Sequence, residues 1–295
     1  MKLKRFFFRI YENFMMYVDS VYIKIQNKTP NILTVEDTID SILTTNKSIC
    51  RFGDGEFMLM NGRNIKFQNY NKKLSEELRK IITKDESNLI IALPDTFLFN
   101  EKYTDKTNEY WKREIAKYRI GLYGFLNMKK KYGNAFISRP YMNWRDKKEA
   151  YKRFEKLFSI WQNRALLIVE GEKTRMGVGN DLFKSSKSIR RILIPAENAY
   201  EKYEDILDEI LRNVDDELVL ISAGPTAKLL VYDLYKHKVQ AIDTGHVDIE
   251  YEWFLQSVEN KVAIAGKYTA EVNSGEEVNF ALSKEYQKQI ISKVV

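Results

Sequence analysis

Short runs of apolar residues recur along the chain, and the segments between them place apolar residues at a helical period. The runs ALLIV, RILI and LVLIS are examples of such continuous apolar stretches. Uninterrupted apolar strands are typical of parallel sheets that are covered by helices on both faces. The pattern therefore predicts an α/β fold with a doubly wound, mostly parallel sheet.

The same pattern places the individual elements. Predicted strands span residues 48–52, 88–93, 135–138, 164–169, 189–194, 217–222 and 239–243. Predicted helices span residues 74–82, 105–131, 147–161, 203–211 and 226–235, and a capping box of Thr34 with Asp37 opens a further helix. Because no repeat or low-complexity linker divides these elements, we expect one catalytic domain at 31–266. It lies between an N-terminal basic amphipathic helix at 1–30 and a C-terminal tail at 267–295, in which a last helix begins at Ser283.

The N-terminal segment combines basic and apolar residues. Charged residues interrupt it before about 20 apolar residues accumulate, which argues against a transmembrane helix and a signal peptide. On a helix its apolar residues form one stripe, made of Phe7, Ile10, Phe14, Val18, Val21 and Ile25. This pattern favours a helix that packs on its own domain or on a partner subunit. Basic side chains near the start leave open a peripheral helix, residues 1–28, at the inner face of a membrane: Lys2, Lys4, Arg5 and Arg9.

Composition narrows the classes of partner. A net charge of +7 and a pI near 9.1 fit nucleic acid, a membrane surface or phosphate-bearing ligands. Lys and Arg are spread along the chain and alternate with acids, whereas nucleic-acid surfaces cluster them with aromatic residues. We therefore expect no nucleic-acid partner.

Cysteine and histidine are scarce. Cys50 is the only cysteine, which excludes an intrachain disulfide and a Cys-rich zinc site and favours a reducing, cytoplasmic compartment. The two histidines are too few for a multi-His metal centre. A bound metal would depend on carboxylates, and that favours a hard cation such as Mg²⁺ or Mn²⁺.

Polar segments follow four of the predicted strands, at the positions where open parallel sheets bind ligands. The first contains Asp54 and Glu56 between glycines, and two such carboxylates can share a divalent cation that neutralises a diphosphate. The tripeptide alone favours an ordinary Asp-Gly turn. Its position after a buried strand favours the metal site.

Two further segments suit phosphate. Gly224, Pro225 and Thr226 give a tight turn and a helix N-terminus that attracts anions, with Lys228 in the first turn. The alternative is a well-capped connection with no ligand. Another segment offers a second set of phosphate or ribose contacts, or an ordinary solvated turn: Gly171, Lys173 and Arg175.

The fourth segment concentrates acidic residues and a histidine: His246, Asp248 and Glu250. These side chains could supply a metal ligand, a base for an acceptor hydroxyl, or contacts to sugar hydroxyls. For a single histidine, a structural role such as capping is the more frequent one.

Together the segments RFGDGEF, LIVEGEKTRMGVGNDLF, ISAGPTAKLLVYDL and AIDTGHVDIEYEWF resemble the successive motifs of the GT-D glycosyltransferases, formerly a bacterial domain of unknown function. The resemblance covers about residues 31–266. It implies a Rossmann-like fold and transfer of a hexose from a UDP-sugar to a glycan acceptor, with Mn²⁺ or Mg²⁺ on Asp54 and Glu56. Similar enzymes extend glycans on bacterial surface adhesins or act in surface polysaccharide clusters, so the acceptor is a glycan, a glycoprotein or a lipid-linked sugar.

These residues suggest a mechanism. The metal bridges the UDP phosphates, while Arg51, Lys173 and the helix N-terminus at 226–228 share their charge. The residues expected to bind the nucleotide-sugar are Arg51, Gly53, Gly171, Lys173, Arg175, Gly224, Thr226 and Lys228. If the reaction inverts the anomeric centre, a base from the His246, Asp248 and Glu250 group deprotonates the acceptor. Two alternatives remain: a metal-dependent phosphohydrolase or nucleotidyltransferase that uses the same groups, and a basic module that binds membrane or nucleic acid.

Overall fold

One parallel sheet organises the molecule. The computed structural model describes residues 2–272, 275 and 283–294. In chain order its strands are β1 (Asn31–Ile32), β2 (Ser48–Arg51), β3 (Leu89–Leu93), β4 (Lys131–Asn134), β5 (Ala165–Gly171), β6 (Ser188–Ile194), β7 (Leu218–Ser222), β8 (Ala241–Asp243) and β9 (Ile290–Lys293). Within the described ranges they form a nine-stranded sheet in the order β1-β4-β3-β2-β8-β7-β5-β6-β9, and every pairing in it is parallel. The predicted α/β, Rossmann-like class is confirmed.

Helices connect most of these strands. In chain order they are α1 (Lys2–Gln26), α2 (Val35–Thr45), α3 (Asp54–Met60), α4 (Lys72–Ile82), α5 (Asp105–Tyr123), α6 (Ala150–Phe158), α7 (Tyr203–Asn213), α8 (Thr226–Lys236), α9 (Val247–Leu255) and α10 (Lys284–Gln289). Short 3₁₀ helices lie at Ala135–Ser138 and Ala199–Lys202. The predicted helix start at Thr34 is confirmed, because its hydroxyl accepts a hydrogen bond from the backbone N–H of Asp37 at 2.9 Å.

The central strands are buried on both faces, as their continuous apolar sequences require. All five residues of β3 are buried, and so are Leu218 to Ile221 in β7. Burial of apolar surface stabilises a fold by about 25 cal/mol per Å², so these side chains favour the assembled sheet.

One predicted strand is wrong. Residues 135–138 form a 3₁₀ helix, and the strand is β4, immediately before them. The predicted helix 105–131 ends early, at Tyr123, with Gly124 as its C-cap. The strand was missed because Gly133 interrupts its apolar pattern. A glycine is required there, since a Cβ atom would lie 2.4 Å from Cγ2 of Ile90.

Both ends of the chain pack onto the fold. The predicted helix at Ser283 is confirmed as α10, and the unpredicted strand β9 then pairs with β6 at the sheet edge. The segment EVNSGEEVNF lies mostly outside the described residues. The N-terminal helix α1 packs on α5, as the sequence favours, through the ion pairs Asp19 with Arg119 and Glu12 with Lys117. None of the helices that the structure describes is both long and apolar enough to cross a membrane.

Candidate active site

The candidate site lies where the two halves of the sheet meet. The chain leaves β2 for β3 on one side, whereas it reaches β8 from β7 on the other, and β2 pairs with β8. Ligand crevices of open parallel sheets form at such a reversal, beyond the carboxyl ends of the strands. The ends of β2, β7 and β8 bring Arg51, Ser222 and Asp243 to this edge.

The segment RFGDGE joins the end of β2 to the first turn of α3. Gly53 is the N-cap of α3, and Asp54 is its first residue. The Glu56 carboxylate reaches back so that its Oε2 accepts the backbone N–H of Gly53 at 2.8 Å. This is the acidic half of a capping box, and it turns Glu56 inward.

Lys228 joins two carboxylates inside the site. Its ammonium lies 2.7 Å from Oε1 of Glu56 and 3.0 Å from Oδ2 of Asp243, and all three residues are buried. Burial lowers the pKa of Lys228, but Asp243 and Glu56 outweigh burial and raise it above its ordinary value. Burial raises the pKa of Asp243, but Arg51 and Lys228 hold it below its ordinary value. The pair Lys228 and Asp243 is therefore charged at neutral pH.

Arg51 holds the end of β8 in place. Its Nε donates to the carbonyl of Asp243 at 2.6 Å, and its Nη2 lies 3.1 Å from Oδ1 of the same residue. Its Nη1 donates to the carbonyl of Ala135 at 3.1 Å and to the hydroxyl of Ser138. These bonds use most of the guanidinium donors, so Arg51 is placed as an anchor of Asp243 rather than as a contact for phosphate.

Gly245 makes room for that guanidinium. It has φ +49°, and a Cβ atom there would lie 2.1 Å from Nη2 of Arg51. Two features favour glycine at this position: the left-handed backbone conformation and the close approach of the Arg51 guanidinium.

Asp54 lies at the solvent edge of the site, apart from the inward-facing Glu56. It is half-buried, and the hydroxyl of Tyr110, from α5, donates a hydrogen bond to its Oδ2. Burial and the Asp54 charge raise the pKa of Tyr110 well above its ordinary value, so the phenol stays protonated and keeps donating.

The residues fit a divalent cation only in part. Among the residues that the structure describes, no group of three or more His, Cys, Asp or Glu side chains is placed to hold a metal. Glu56 is occupied by Gly53 and Lys228, which leaves Asp54 as the more accessible carboxylate. Mg²⁺ and Mn²⁺ sites in transferases are often completed by substrate phosphates and water, with one or two carboxylates from the protein. The donor set fits a cation of that kind and does not fit a cage made by the protein alone.

The turn before α8 is tightly built. Gly224 has φ +54°, and a Cβ atom there would lie 2.7 Å from the ring of Phe67. Thr226 is fully buried, and its hydroxyl has no hydrogen-bond partner within the described part of the chain. Lys228 points inward to its two carboxylates rather than toward a phosphate, and the side chain of Thr226 is not exposed to solvent.

The segment after β5 is attached to the C-terminal part of the chain. Gly171 ends β5, and the side chain of Lys173 is exposed to solvent. The carbonyl of Lys173 accepts the backbone N–H of Tyr268 at 2.9 Å. Arg175 has φ +52° and donates from Nη1 to the carbonyl of Gly266 at 3.2 Å. The exposed side chain of Lys173 can therefore contact a ligand, whereas the side chain of Arg175 is bonded to Gly266.

The structure does not bring His246, Asp248 and Glu250 together as one catalytic group. Glu250 is completely buried: its Oε2 accepts the backbone N–H groups of Tyr141 and Met142 at 3.2 and 2.9 Å. Its Oε1 lies 3.2 Å from Nη1 of Arg139. A carboxylate bound in this way is a structural anchor, and it has no access to an acceptor hydroxyl.

Asp248 is a second anchor. Its Oδ1 accepts the backbone N–H of Gly177 at 2.9 Å and the side-chain amide of Asn180 at 2.8 Å, and its Oδ2 lies 2.7 Å from the ammonium of Lys267. Burial raises the pKa of Asp248, against the opposing effect of Lys267. The residue ties α9 to the segment after β5.

His246 is the member of the trio that can serve as a base. Its Nδ1 is buried without a hydrogen-bond partner in the described chain and lies 3.9 Å from Oε1 of Glu271. Burial lowers its pKa to about 4, against the effect of Glu271. The imidazole is therefore neutral at pH 7 and able to accept a proton.

Sequence reasoning missed several residues of this site. Asp243 could have been predicted as a site residue, because it ends a predicted strand at the edge of the sheet where ligands bind. Tyr110, Ser138 and Glu271 lie outside every motif, and no sequence signal pairs them with the residues they contact.

The comparison with known families now decides the classification. The family model described as the glycosyltransferase GT-D fold matches residues 49–272. The chain belongs to the GT-D glycosyltransferase family.

Two curated relatives are named as glycosyltransferases. Glycosyltransferase GlyD of Streptococcus pneumoniae serotype 4 is 38% identical over 262 residues, and the probable glycosyl transferase Gly of Streptococcus gordonii is 38% identical over 265 residues. The matches cover 88% and 90% of this GT-D chain but 32% and 39% of the relatives, so the chain spans well under half of either protein.

Solved structures confirm the GT-D fold. A new glycosyltransferase (DUF1792) from Streptococcus sanguinis has a TM-score of 0.87 and 38% identity to this chain, and the match covers 90% of this chain and 100% of that one. A domain of unknown function 1792 with a distinct glycosyltransferase fold has a TM-score of 0.86 at 38% identity, over 96% of this chain and 99% of that one.

Proposed function

We propose that this GT-D chain is a metal-dependent hexosyltransferase that moves a hexose from a UDP-sugar to a glycan acceptor in bacterial surface glycan or adhesin glycosylation. One observation carries the proposal: at the central reversal of a family-matched sheet, an accessible carboxylate, Asp54, lies at the edge of the buried Glu56–Lys228–Asp243 cluster. The four motifs that resemble GT-D enzymes support the UDP-sugar donor. The acceptor is then a glycan, carried by a protein or a lipid.

Asp54 and Glu56 would hold the proposed cation, Mn²⁺ or Mg²⁺, together with the donor's phosphates. When bound, such a cation would neutralise charge on the departing diphosphate. Tyr110 orients the Asp54 carboxylate by its hydrogen bond. Glu56 would contribute an oxygen by exchanging part of its contact with Lys228.

The diphosphate is assigned to the N-terminus of α8. The positive end of a helix dipole attracts anions, and α8 begins at Thr226, whose buried hydroxyl is unpaired in the described chain. The next two backbone N–H groups, of Ala227 and Lys228, donate to the carbonyls of Gly224 and Pro225, so the attraction comes from the dipole of the helix. Lys173 adds an exposed positive charge from the neighbouring segment after β5. Lys228 supports the site from within by balancing Glu56 and Asp243.

His246 is the proposed acceptor base if the reaction inverts the anomeric centre. Its pKa of about 4 leaves the imidazole unprotonated at pH 7, with a ring nitrogen able to accept a proton, but it also makes His246 a weaker base than an ordinary histidine. A retaining reaction would need no such base.

A donor screen tests this function. The full chain is incubated with several UDP-sugars, including UDP-glucose and UDP-galactose, with Mn²⁺ or with a chelator, and in the presence or absence of an acceptor glycan. We expect UDP release that requires both the cation and the acceptor. Cleavage of the donor to UMP and a sugar 1-phosphate, with or without acceptor, would instead support the alternative phosphohydrolase. Formation of UTP and a sugar 1-phosphate when pyrophosphate is added would support a nucleotidyltransferase.

A further inference from the structure

The outward side of α1 carries an apolar stripe that nothing in the described chain covers. The helix is 25 residues long, or about 37 Å at 1.5 Å per residue. Large apolar side chains recur along it every three or four positions, each at least 40% exposed: Phe7, Ile10, Phe14, Tyr17, Val21 and Ile25. We call these six residues the outer face.

The opposite side of α1 fixes the direction in which the outer face points. Asp19 lies 2.6 Å from Nε of Arg119, and Glu12 lies 2.9 Å from the ammonium of Lys117. Tyr22 packs edge-on against Tyr123, also from α5. Because these contacts hold α1 by its inner side, rotation about its axis cannot bury the outer face against α5.

The charges of α1 are divided in the same way. Its only acidic residues, Glu12 and Asp19, face α5 and are neutralised there. Its basic residues are Lys2, Lys4, Arg5, Arg9 and Lys24, and the structure places Arg9 and Lys24 in solvent. The solvent side of α1 is thus apolar and positively charged, and α1 itself carries no acidic residue there; Glu109 of α5 lies in the groove beside Arg9.

We propose that the outer face of α1 is a membrane-docking surface, which lies flat on a bilayer that contains anionic lipid. An apolar helix face flanked by Lys and Arg and rich in aromatic residues has the chemistry that inserts at the boundary of headgroups and acyl chains. A second copy of the chain brings the same positive charge, whereas an anionic bilayer brings the opposite one. Charge complementarity therefore selects the bilayer as the occupant.

Docking in this way would place the candidate site near the membrane. The first half of α1 and the first half of α5 lie side by side, since Arg9, Glu12 and Asn13 share a groove with Glu109 and Arg113. Tyr110, which contacts Asp54, belongs to the same part of α5. If the proposed function is correct, a lipid-carried acceptor would thus be presented on the side of Asp54. The membrane surface itself does not depend on that function.

Co-sedimentation of the full chain with lipid vesicles tests the proposal. One vesicle is pure phosphatidylcholine, and the other contains one quarter phosphatidylglycerol. We expect binding to the anionic vesicle that weakens as salt rises, and much weaker binding to the neutral one. No binding to the anionic vesicle, or equal binding to both, would overturn the proposal.

Matched variants locate the surface. Phe14→Ser with Tyr17→Ser removes two outer-face residues that are 61% and 68% exposed; Phe99→Ser with Tyr151→Ser, 71% and 55% exposed, is the control elsewhere. Circular dichroism and the melting temperature confirm that both variants fold. We expect the first pair to weaken vesicle binding by roughly tenfold or more and the control to leave it unchanged.

A charge variant keeps the test independent of the aromatic residues. Arg9→Gln with Lys24→Gln should weaken binding to the anionic vesicle alone, whereas Lys148→Gln with Lys187→Gln should not. The molar mass of each protein in solution is measured by light scattering. A dimer that the Phe14→Ser, Tyr17→Ser variant converts to a monomer, with vesicle binding unchanged, would show that a second copy covers the outer face and would contradict the proposal.

Discussion

The ammonium of Lys228 lies 2.7 Å from Oε1 of Glu56, in a position where both residues are almost fully buried. The same ammonium reaches Asp243 at 3.0 Å, so one cation of the protein balances two carboxylates. Lys228 therefore connects the start of α3 with the end of β8. Its primary task in this structure is to hold the two halves of the site together.

Replacing Lys228 by Met should destabilise the fold. The change leaves two buried carboxylates without their cation, and loss of one partner of a buried ion pair costs about 3–5 kcal/mol. Lys236→Met, at the exposed end of the same helix, should cost under about 1 kcal/mol because its pair with Asp233 is solvated. Urea unfolding of the two variants measures both values. Equal costs would contradict the assignment of Lys228.

Gly245→Ala should be more costly than its backbone conformation alone explains. Gly245 and Gly179 both have positive φ, +49° and +79°, but only at Gly245 would a Cβ atom meet another group, Nη2 of Arg51. Gly179→Ala should therefore cost about 1 kcal/mol, and Gly245→Ala several times as much. Thermal or urea denaturation checks the difference. Equal losses would show that Arg51 yields without strain.

Tyr110→Phe should weaken the response to metal while the protein stays folded. The change removes the hydrogen bond that orients Asp54, and loss of such a supporting contact typically costs about 10–100-fold in metal affinity or activity. Titration of Mn²⁺, followed both by electron paramagnetic resonance and by UDP release, measures the shift. Tyr151→Phe, on α6, is the control. An unchanged Mn²⁺ titration would separate Tyr110 from the cation site.

His246 should make the protein less stable in acid. Its folded pKa is about 4 against an ordinary value of 6.5, so between these pH values the unfolded chain binds the extra proton. Stability due to this group is complete above pH 6.5 and falls as the pH decreases toward 4, by up to about 3 kcal/mol. His246→Gln should lose this part of the pH dependence, and His237→Gln should keep it. Urea unfolding at pH 4, 5, 6 and 7 provides the comparison.

The strands of the sheet could be predicted from the sequence because runs of apolar residues are a local signal. Continuous apolar runs located β2, β3, β5, β6 and β7, and the polar residues after them located the edge where the site lies. Prediction failed where tertiary contacts decide. Strand β4 contains Gly133 because Ile90 leaves no room there for a side chain. The last strand, β9, forms by pairing with β6.

The roles of single side chains were harder to predict than their places. Lys228 and Arg51 were expected to contact phosphate, but each turns toward Asp243. In the chain, Asp243 is about 15 positions from Lys228 and about 190 from Arg51. Glu250 looked like a base within an acidic segment, yet it anchors the backbone of Tyr141 and Met142. Periodicity and motif spacing carry no information about which distant group a side chain will meet.

Asp54 is proposed to hold a cation that is required for acceptor-dependent transfer of a sugar from its nucleotide. The most direct measurement compares Mn²⁺-dependent UDP release by the unmodified chain with release by Asp54→Asn and by the control Asp105→Asn. Asp54 and Asp105 are each the first residue of a helix, so both changes remove a negative charge from a helix N-terminus. Asp54→Asn should lose about 100-fold or more of the activity, whereas Asp105→Asn should keep it. Equal activity of Asp54→Asn and the unmodified chain, with the same dependence on Mn²⁺, would show that Asp54 does not hold the cation.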